Sequence, residues 1–180
     1  MTHTVQTLSP SSWVIQFVSR IQKGGEILDI ACGRGRNTRF FLDHGHSVVA
    51  VDRNLERLGE LCNHPKVSAM EVDLEGTQPW PFQKSRFAGI VVTNYLYRPL
   101  FPRFIESLDD NGVLIYETFA KGNERFGHPR NPDYLLEDGE LLQRFGPSLY
   151  IISYEQLELG EPNPAVLQRI AAIKNPNPWH

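Results

Sequence analysis

Apolar positions along the 180 residues alternate between helical spacing and short continuous runs. Trp13, Phe17 and Ile21 recur every fourth residue, with Val14 and Val18 beside them, which gives one stripe of a helix. Ser9 is the expected N-cap and Pro10 the first helical residue, where a missing N–H costs nothing; Gly24-Gly25 ends the element. An apolar run over 27–31 predicts a first strand, closing on Cys32-Gly33-Arg34-Gly35-Arg36-Asn37. Phe40, Phe41 and Leu42 follow at helical spacing up to Gly45, and a second strand over 47–51 closes on Asp52. Asn54 is the expected cap of a short helix bearing Leu55, Leu58, Leu61 and Cys62, ahead of a third strand over 67–72.

Residues 76–85, with Pro79-Trp80-Pro81, read as a loop, and 87–93 as a fourth strand of the kind buried on both faces. Pro102 is the expected opening of a helix through Leu108, and Asn111-Gly112 a turn into a fifth strand over 113–119. A polar segment, 120–132, precedes a short helix over 139–145. Two final runs, 149–157 and 165–173, predict an antiparallel hairpin, and 175–178 a loose tail. Helices alternating with five strands imply a doubly wound α/β sheet with helices on both faces. With no repeat or linker, residues 1–180 read as one domain: an N-terminal helix (1–25), a core (26–173) and a tail (174–180). Ligands of such sheets lie beyond the carboxyl ends of the strands.

Composition narrows the partners. Hydrophobic residues make up 41% and charged residues 22% of the chain, ordinary for a globular protein. A formal charge of −3 argues against nucleic acid, and the lack of an 18-residue apolar run argues against a membrane span. Residues 1–6 do not resemble a secretory signal, and Cys32 and Cys62 are too few for a disulfide framework, so a cytoplasmic location is expected. No Cys/His set has metal-ligand spacing, so no metal is expected.

The chemistry is concentrated at the strand ends. Gly33 and Gly35 permit a sharp turn beside which a ligand can lie, and the next helix points free N–H groups at that space. Asp52, 19 residues after Gly33, stands where a carboxylate can accept both hydroxyls of a ribose; Asp73, after the third strand, can accept an adenine N–H. A dinucleotide fits less well, because Thr38 occupies the place of the third Gly or Ala in G-x-G-x-x-G. Asp29, four residues before Gly33, suits an ammonium better than a pyrophosphate. S-adenosylmethionine, cationic and free of phosphate, is thus the favoured ligand. A nicotinamide-dependent oxidoreductase, a binding protein without catalysis and an RNA methyltransferase are the alternatives.

Leu28-Asp29-Ile30-Ala31-Cys32-Gly33-Arg34-Gly35-Arg36-Asn37 resembles motif I of the class I S-adenosylmethionine-dependent methyltransferases, in the form D-x-[GA]-C-G-x-G-R-N. It is similar to the small tellurite-resistance-type enzymes, with Ala31 in place of the first glycine. The resemblance implies a Rossmann-like, seven-stranded, mostly parallel sheet ending in an antiparallel hairpin. It also implies transfer of a methyl group to a small molecule. On that likeness Asp29, Ala31, Gly33, Gly35, Arg36, Asn37, Asp52, Arg53, Asp73, Leu74 and Asn94 are expected around the donor.

The segment after the fourth strand, Thr93-Asn94-Tyr95-Leu96-Tyr97-Arg98-Pro99, lacks the Asn/Asp-Pro-Pro-Tyr signature of many base-directed methyltransferases. Tyr95 and Tyr97 can form an aromatic wall for a cation. The 120–132 segment has the length of a lid: Phe126 would exclude water, and Arg125 and Arg130 would hold an anion. Tyr95 and His128 are the expected catalytic residues; Tyr97, Arg98, Asn123, Arg125 and Arg130 are the expected acceptor-binding residues.

Overall fold

The computed structural model describes residues 9–176. The expected tail from residue 177 on, including Trp179, lies outside the described residues. Seven strands form one sheet: β1 (Glu26–Ile30), β2 (Ser47–Asp52), β3 (Val67–Glu71), β4 (Phe87–Thr93), β5 (Leu108–Phe119), β6 (Tyr150–Leu159) and β7 (Ala165–Ile173). Their order is β3-β2-β1-β4-β5-β7-β6. The first five are parallel, and β7 runs antiparallel between β5 and β6. From β1 the chain winds outward to β2 and β3, then returns to β4 on the other side. That reversal opens a crevice at the carboxyl ends of β1 and β4, the place where doubly wound sheets take ligands.

Strand alternation explains the two cores. Leu28, Ile30, Val49, Val51, Ile90 and Val92 point to one face, packing with α3 (Phe101–Ser107) and α4 (Glu140–Phe145) through Phe101, Phe104, Leu141 and Phe145. Ile27, Val48, Ala50 and Val91 point to the other, toward α1 (Ser12–Phe17) and α2 (Arg36–Asp43) through Trp13, Phe17 and Phe41. All of these side chains are buried, the situation that removes a polar face from central parallel strands. Among the described residues, no helix is long and apolar enough to cross a membrane.

Three local expectations need correction. The N-cap of α1 is Ser11, not Ser9: its hydroxyl accepts from the N–H of Trp13 at 3.1 Å and donates to Glu117 Oε1 at 3.0 Å. That second bond ties the helix start to β5, which local sequence does not reveal. Leu55–Arg57 and Gly59–Asn63 are 3-10 turns, not one α-helix, because Gly59 takes φ +61° between them. Asn54 nonetheless caps the first, accepting from Glu56 N–H at 2.8 Å. β5 starts at Leu108, five residues early. Leu108 pairs with Phe87, and Asn111-Gly112 bulges out before pairing resumes at Gly89 and Val113.

Candidate functional site

The bend after β1 is built from three left-handed residues, Ala31 (φ +52°), Gly33 (φ +54°) and Gly35 (φ +69°). Cys32 is held between them by its N–H to Val51 O at 3.0 Å, and Gly35 N–H closes the turn on Cys32 O at 2.8 Å. Gly35 has a second reason to lack a side chain. A Cβ there would lie 2.5 Å from Leu61 Cδ1 and 2.6 Å from Leu58 Cδ1. A Cβ on Gly33, by contrast, would meet only Ala31 O at 4.0 Å. Conformation alone demands glycine at that position.

Asp52, at the carboxyl end of β2, is oriented by two backbone donors. Gly33 N–H reaches its Oδ2 at 2.8 Å and Asn54 N–H its Oδ1 at 3.1 Å. A carboxylate has about four acceptor positions, so both oxygens keep a lone pair for a ligand. Asp52 borders a cavity of about 430 Å³ with Ala31, Arg53, Asp73, Leu74 and Tyr95, and also Val51, Val72, Glu75 and Tyr134. That volume falls in the range of small-ligand sites. Its charged lining is three carboxylates (Asp52, Asp73, Glu75) against one guanidinium (Arg53).

Asp29 lies underneath, 1% exposed, with its Oδ2 accepting from the Thr38 hydroxyl at 2.6 Å. Burial raises its pKa from the ordinary 3.8 to about 6, although the hydrogen bonds of Thr38 and the charge of Arg36 oppose the rise. An acid whose pKa is raised in the folded state contributes stability that is complete below pH 3.8 and lost as pH rises through about 6. Asp29→Asn keeps an oxygen for Thr38 and removes the ionisation. It should stabilise the ligand-free protein by about 1–3 kcal/mol at pH 8 and by almost nothing at pH 4, because each tenfold change in proton affinity is worth ~1.4 kcal/mol. Urea unfolding at the two pH values checks this; an equal effect at both would place the Asp29 pKa outside that window.

Residues 27–110 match the model of a family described as a methyltransferase domain. The matched segment covers somewhat under half of the chain and is similar to a methyltransferase domain. The seven-stranded fold is shared with solved methyltransferases. TehB from Haemophilus influenzae superposes with a TM-score of 0.73 at 17% identity, over 94% of this chain and 64% of that one. This chain thus spans somewhat under two thirds of TehB. A methyltransferase of Methanosarcina mazei superposes at 0.70 and 19% identity, over 93% of this chain and 99% of that one. The 1,6-didemethyltoxoflavin-N1-methyltransferase of Burkholderia thailandensis, solved with 1,6-didemethyltoxoflavin and S-adenosylhomocysteine, gives 0.69 and 17% identity, over 91% and 77%. At such identities the likeness is one of fold. A comparison with curated proteins gives no match.

The methyltransferase fold brings Ala31, Asp52, Arg53, Asp73, Leu74 and Tyr95 to one cavity. Asn94, at φ +56°, lines a smaller adjoining chamber. Asn37 is buried instead: its Oδ1 accepts from Ser11 N–H at 3.1 Å and its Nδ2 donates to Thr93 Oγ1 at 3.1 Å, which joins α1, α2 and β4. Arg36 is half-buried and acts on Asp29 through its charge. Tyr97 lines a neighbouring cleft with Trp80, Pro99 and Arg103, which shares Val72, Asp73 and Leu74 with the cavity.

The expected acceptor residues are less concentrated. Arg98 is bound to Glu140 at 2.7 Å and to the carbonyls of Asp133 and Leu135, each at 2.8 Å. Asn123 is 2% exposed; its Oδ1 accepts from Val166 N–H and its Nδ2 donates to His128 O. Arg125 pairs with Glu158 at 2.7 Å and lies over Phe126, which is 38% exposed and borders none of the cavities near the strand ends. The Ala120–Leu136 bridge closes the base of that segment beside β5. His128 and Arg130 are exposed and border neither cavity. Four lining residues escaped sequence reading, Val51 and Val72 at strand ends among them. Glu75 and Tyr134 reach the cavity from loops whose path no periodicity records.

Proposed function

We propose that the chain transfers the methyl group of S-adenosylmethionine to a small molecule, with the donor in the 430 Å³ cavity. One observation carries the reading: the Asp52 carboxylate faces that cavity already aimed by Gly33 and Asn54 N–H groups, with acceptor capacity left for the two ribose hydroxyls. Asp73 and Leu74 stand for the adenine, with Asp73 Oδ1 steadied by Glu75 N–H at 3.0 Å. The Ala31 bend, with Asn94 nearby, takes the amino-acid end. Asp29 supports that end from below, where its charge favours the donor's cationic groups.

When bound, the donor supplies an electrophilic methyl on a sulfonium. The acceptor's lone pair forms the new bond to that carbon while the carbon–sulfur bond breaks and its electron pair stays on sulfur. The protein's share is alignment and exclusion of water, which together can lower a barrier by ~7–11 kcal/mol. Tyr95 is suited to that share. Its backbone carbonyl accepts from the Tyr116 hydroxyl at 2.9 Å, and its ring borders both the cavity and the adjoining chamber. Burial and the neighbouring Glu75 push its phenol well above the ordinary tyrosine pKa, so it acts neutral, as a donor and an aromatic wall. An electronegative rim of three carboxylates and a fully buried Thr38 in the first turn of α2 both disfavour a pyrophosphate.

Calorimetric titration with S-adenosylmethionine, S-adenosylhomocysteine and NAD tests the proposal. Both sulfur nucleosides should bind at micromolar concentration and NAD should not. Binding of NAD alone would overturn the proposal.

A further inference from the structure

Beside the donor cavity lies a chamber of about 190 Å³. Glu75, Tyr95 and Tyr134 border both spaces, and Asn94, Thr118 and Phe119 complete much of the inner wall. At ~30 Å³ for each water-sized unit of liquid, the chamber holds roughly six non-hydrogen atoms. Its charge is one-sided. Glu75 is its carboxylate, close enough to Tyr95 to raise the pKa of that phenol, and no lysine, arginine or histidine lines it among the described residues.

Three nearby cations are committed elsewhere. Arg98 is fastened to Glu140 at 2.7 Å, Arg125 to Glu158 at 2.7 Å and Lys121 to Glu137 at 3.3 Å. Arg130, the cation expected to hold an anionic group, is exposed and does not border the chamber. Tyr95 and Tyr134 both line it, and aromatic side chains attract positive charge. An anion entering here would lose water and meet the Glu75 carboxylate, with Asp52 and Asp73 outnumbering Arg53 in the next cavity.

We propose that this chamber is the acceptor site and that it admits small uncharged or cationic nucleophiles while turning away carboxylates and oxyanions. The assignment rests on the donor reading above, since it is the shared wall that places an acceptor against the methyl group.

Three thiols of nearly equal size isolate the charge: 2-mercaptoethylamine, 2-mercaptoethanol and mercaptoacetate. Their dissociation constants for the protein, with and without S-adenosylhomocysteine, are measured by ligand-observed NMR at pH 7.5. The amine and the alcohol should each bind at least tenfold more tightly than the carboxylate. Glu75→Lys should reverse the order, and Glu75→Gln should reduce the preference to less than threefold. A preference below tenfold in the wild type, no binding of any of the three, or an order untouched by either substitution overturns the proposal. S-adenosylhomocysteine titrated into the same sample separates the two claims. If it fails to bind while the charge order holds, the donor reading falls and the chamber's charge selectivity stands.

Discussion

Asp52→Ala should weaken S-adenosylhomocysteine binding roughly 5- to 150-fold, the equivalent of about 1–3 kcal/mol for two hydroxyls left without a charged acceptor. The expectation depends on the held geometry of the carboxylate. With Oδ2 on Gly33 N–H and Oδ1 on Asn54 N–H, little entropy is lost when a ribose arrives. The same two bonds stabilise the glycine bend, so part of the loss would come from a looser turn. Adenine and adenosine separate the contributions. The variant should bind adenosine worse than wild type but adenine, which has no ribose, almost as well. Unchanged nucleoside affinity in a folded Asp52→Ala protein would remove Asp52 from the donor site.

Arg98→Ala should cost about 2–4 kcal/mol of stability, since it strands a buried carboxylate. Glu140 is 7% exposed in its side chain, and Arg98 supplies two of its hydrogen bonds. The figure is at the lower end for a broken buried pair because Glu137 N–H remains at 2.9 Å and Arg144 at 3.9 Å. Burial alone would raise the Glu140 pKa; the Arg98 hydrogen bonds, the Glu137 N–H and nearby positive charge outweigh it and hold the group below the ordinary 4.5. Its contribution is therefore complete above pH 4.5 and lost as pH falls through the depressed value. Thermal unfolding at pH 7 should show a Tm lower by roughly 5–12 °C for a chain of this size. The difference from wild type should shrink in acid. A drop below 2 °C at pH 7 would mean that the pair does not carry this load.

The same substitution reaches the site. Arg98 grips the carbonyls on either side of Tyr134, at Asp133 and Leu135, and Tyr134 borders both the cavity and the chamber. Through those two carbonyls Arg98 holds the segment that carries Tyr134. Sequence cannot report this, because the partners lie 35 to 42 residues away and neither end shows a pattern.

What the sequence by itself determined is what local physics governs. Strand runs buried on both faces announced themselves as apolar segments, the left-handed bend as Gly33 and Gly35, and the cavity carboxylate Asp52 as an acid closing β2. Each depends on neighbours a few residues away or on a periodicity. Tertiary structure decided the rest. It chose Ser11 as the cap through a bond to Glu117, buried Asn37 among three elements, and drew Arg125 to Glu158 instead of to a ligand. It also brought Glu75 and Tyr134 to one chamber. Hydrogen bonds and ion pairs between distant segments depend on where the packed sheet places their ends, and a linear pattern of residues carries no record of that distance.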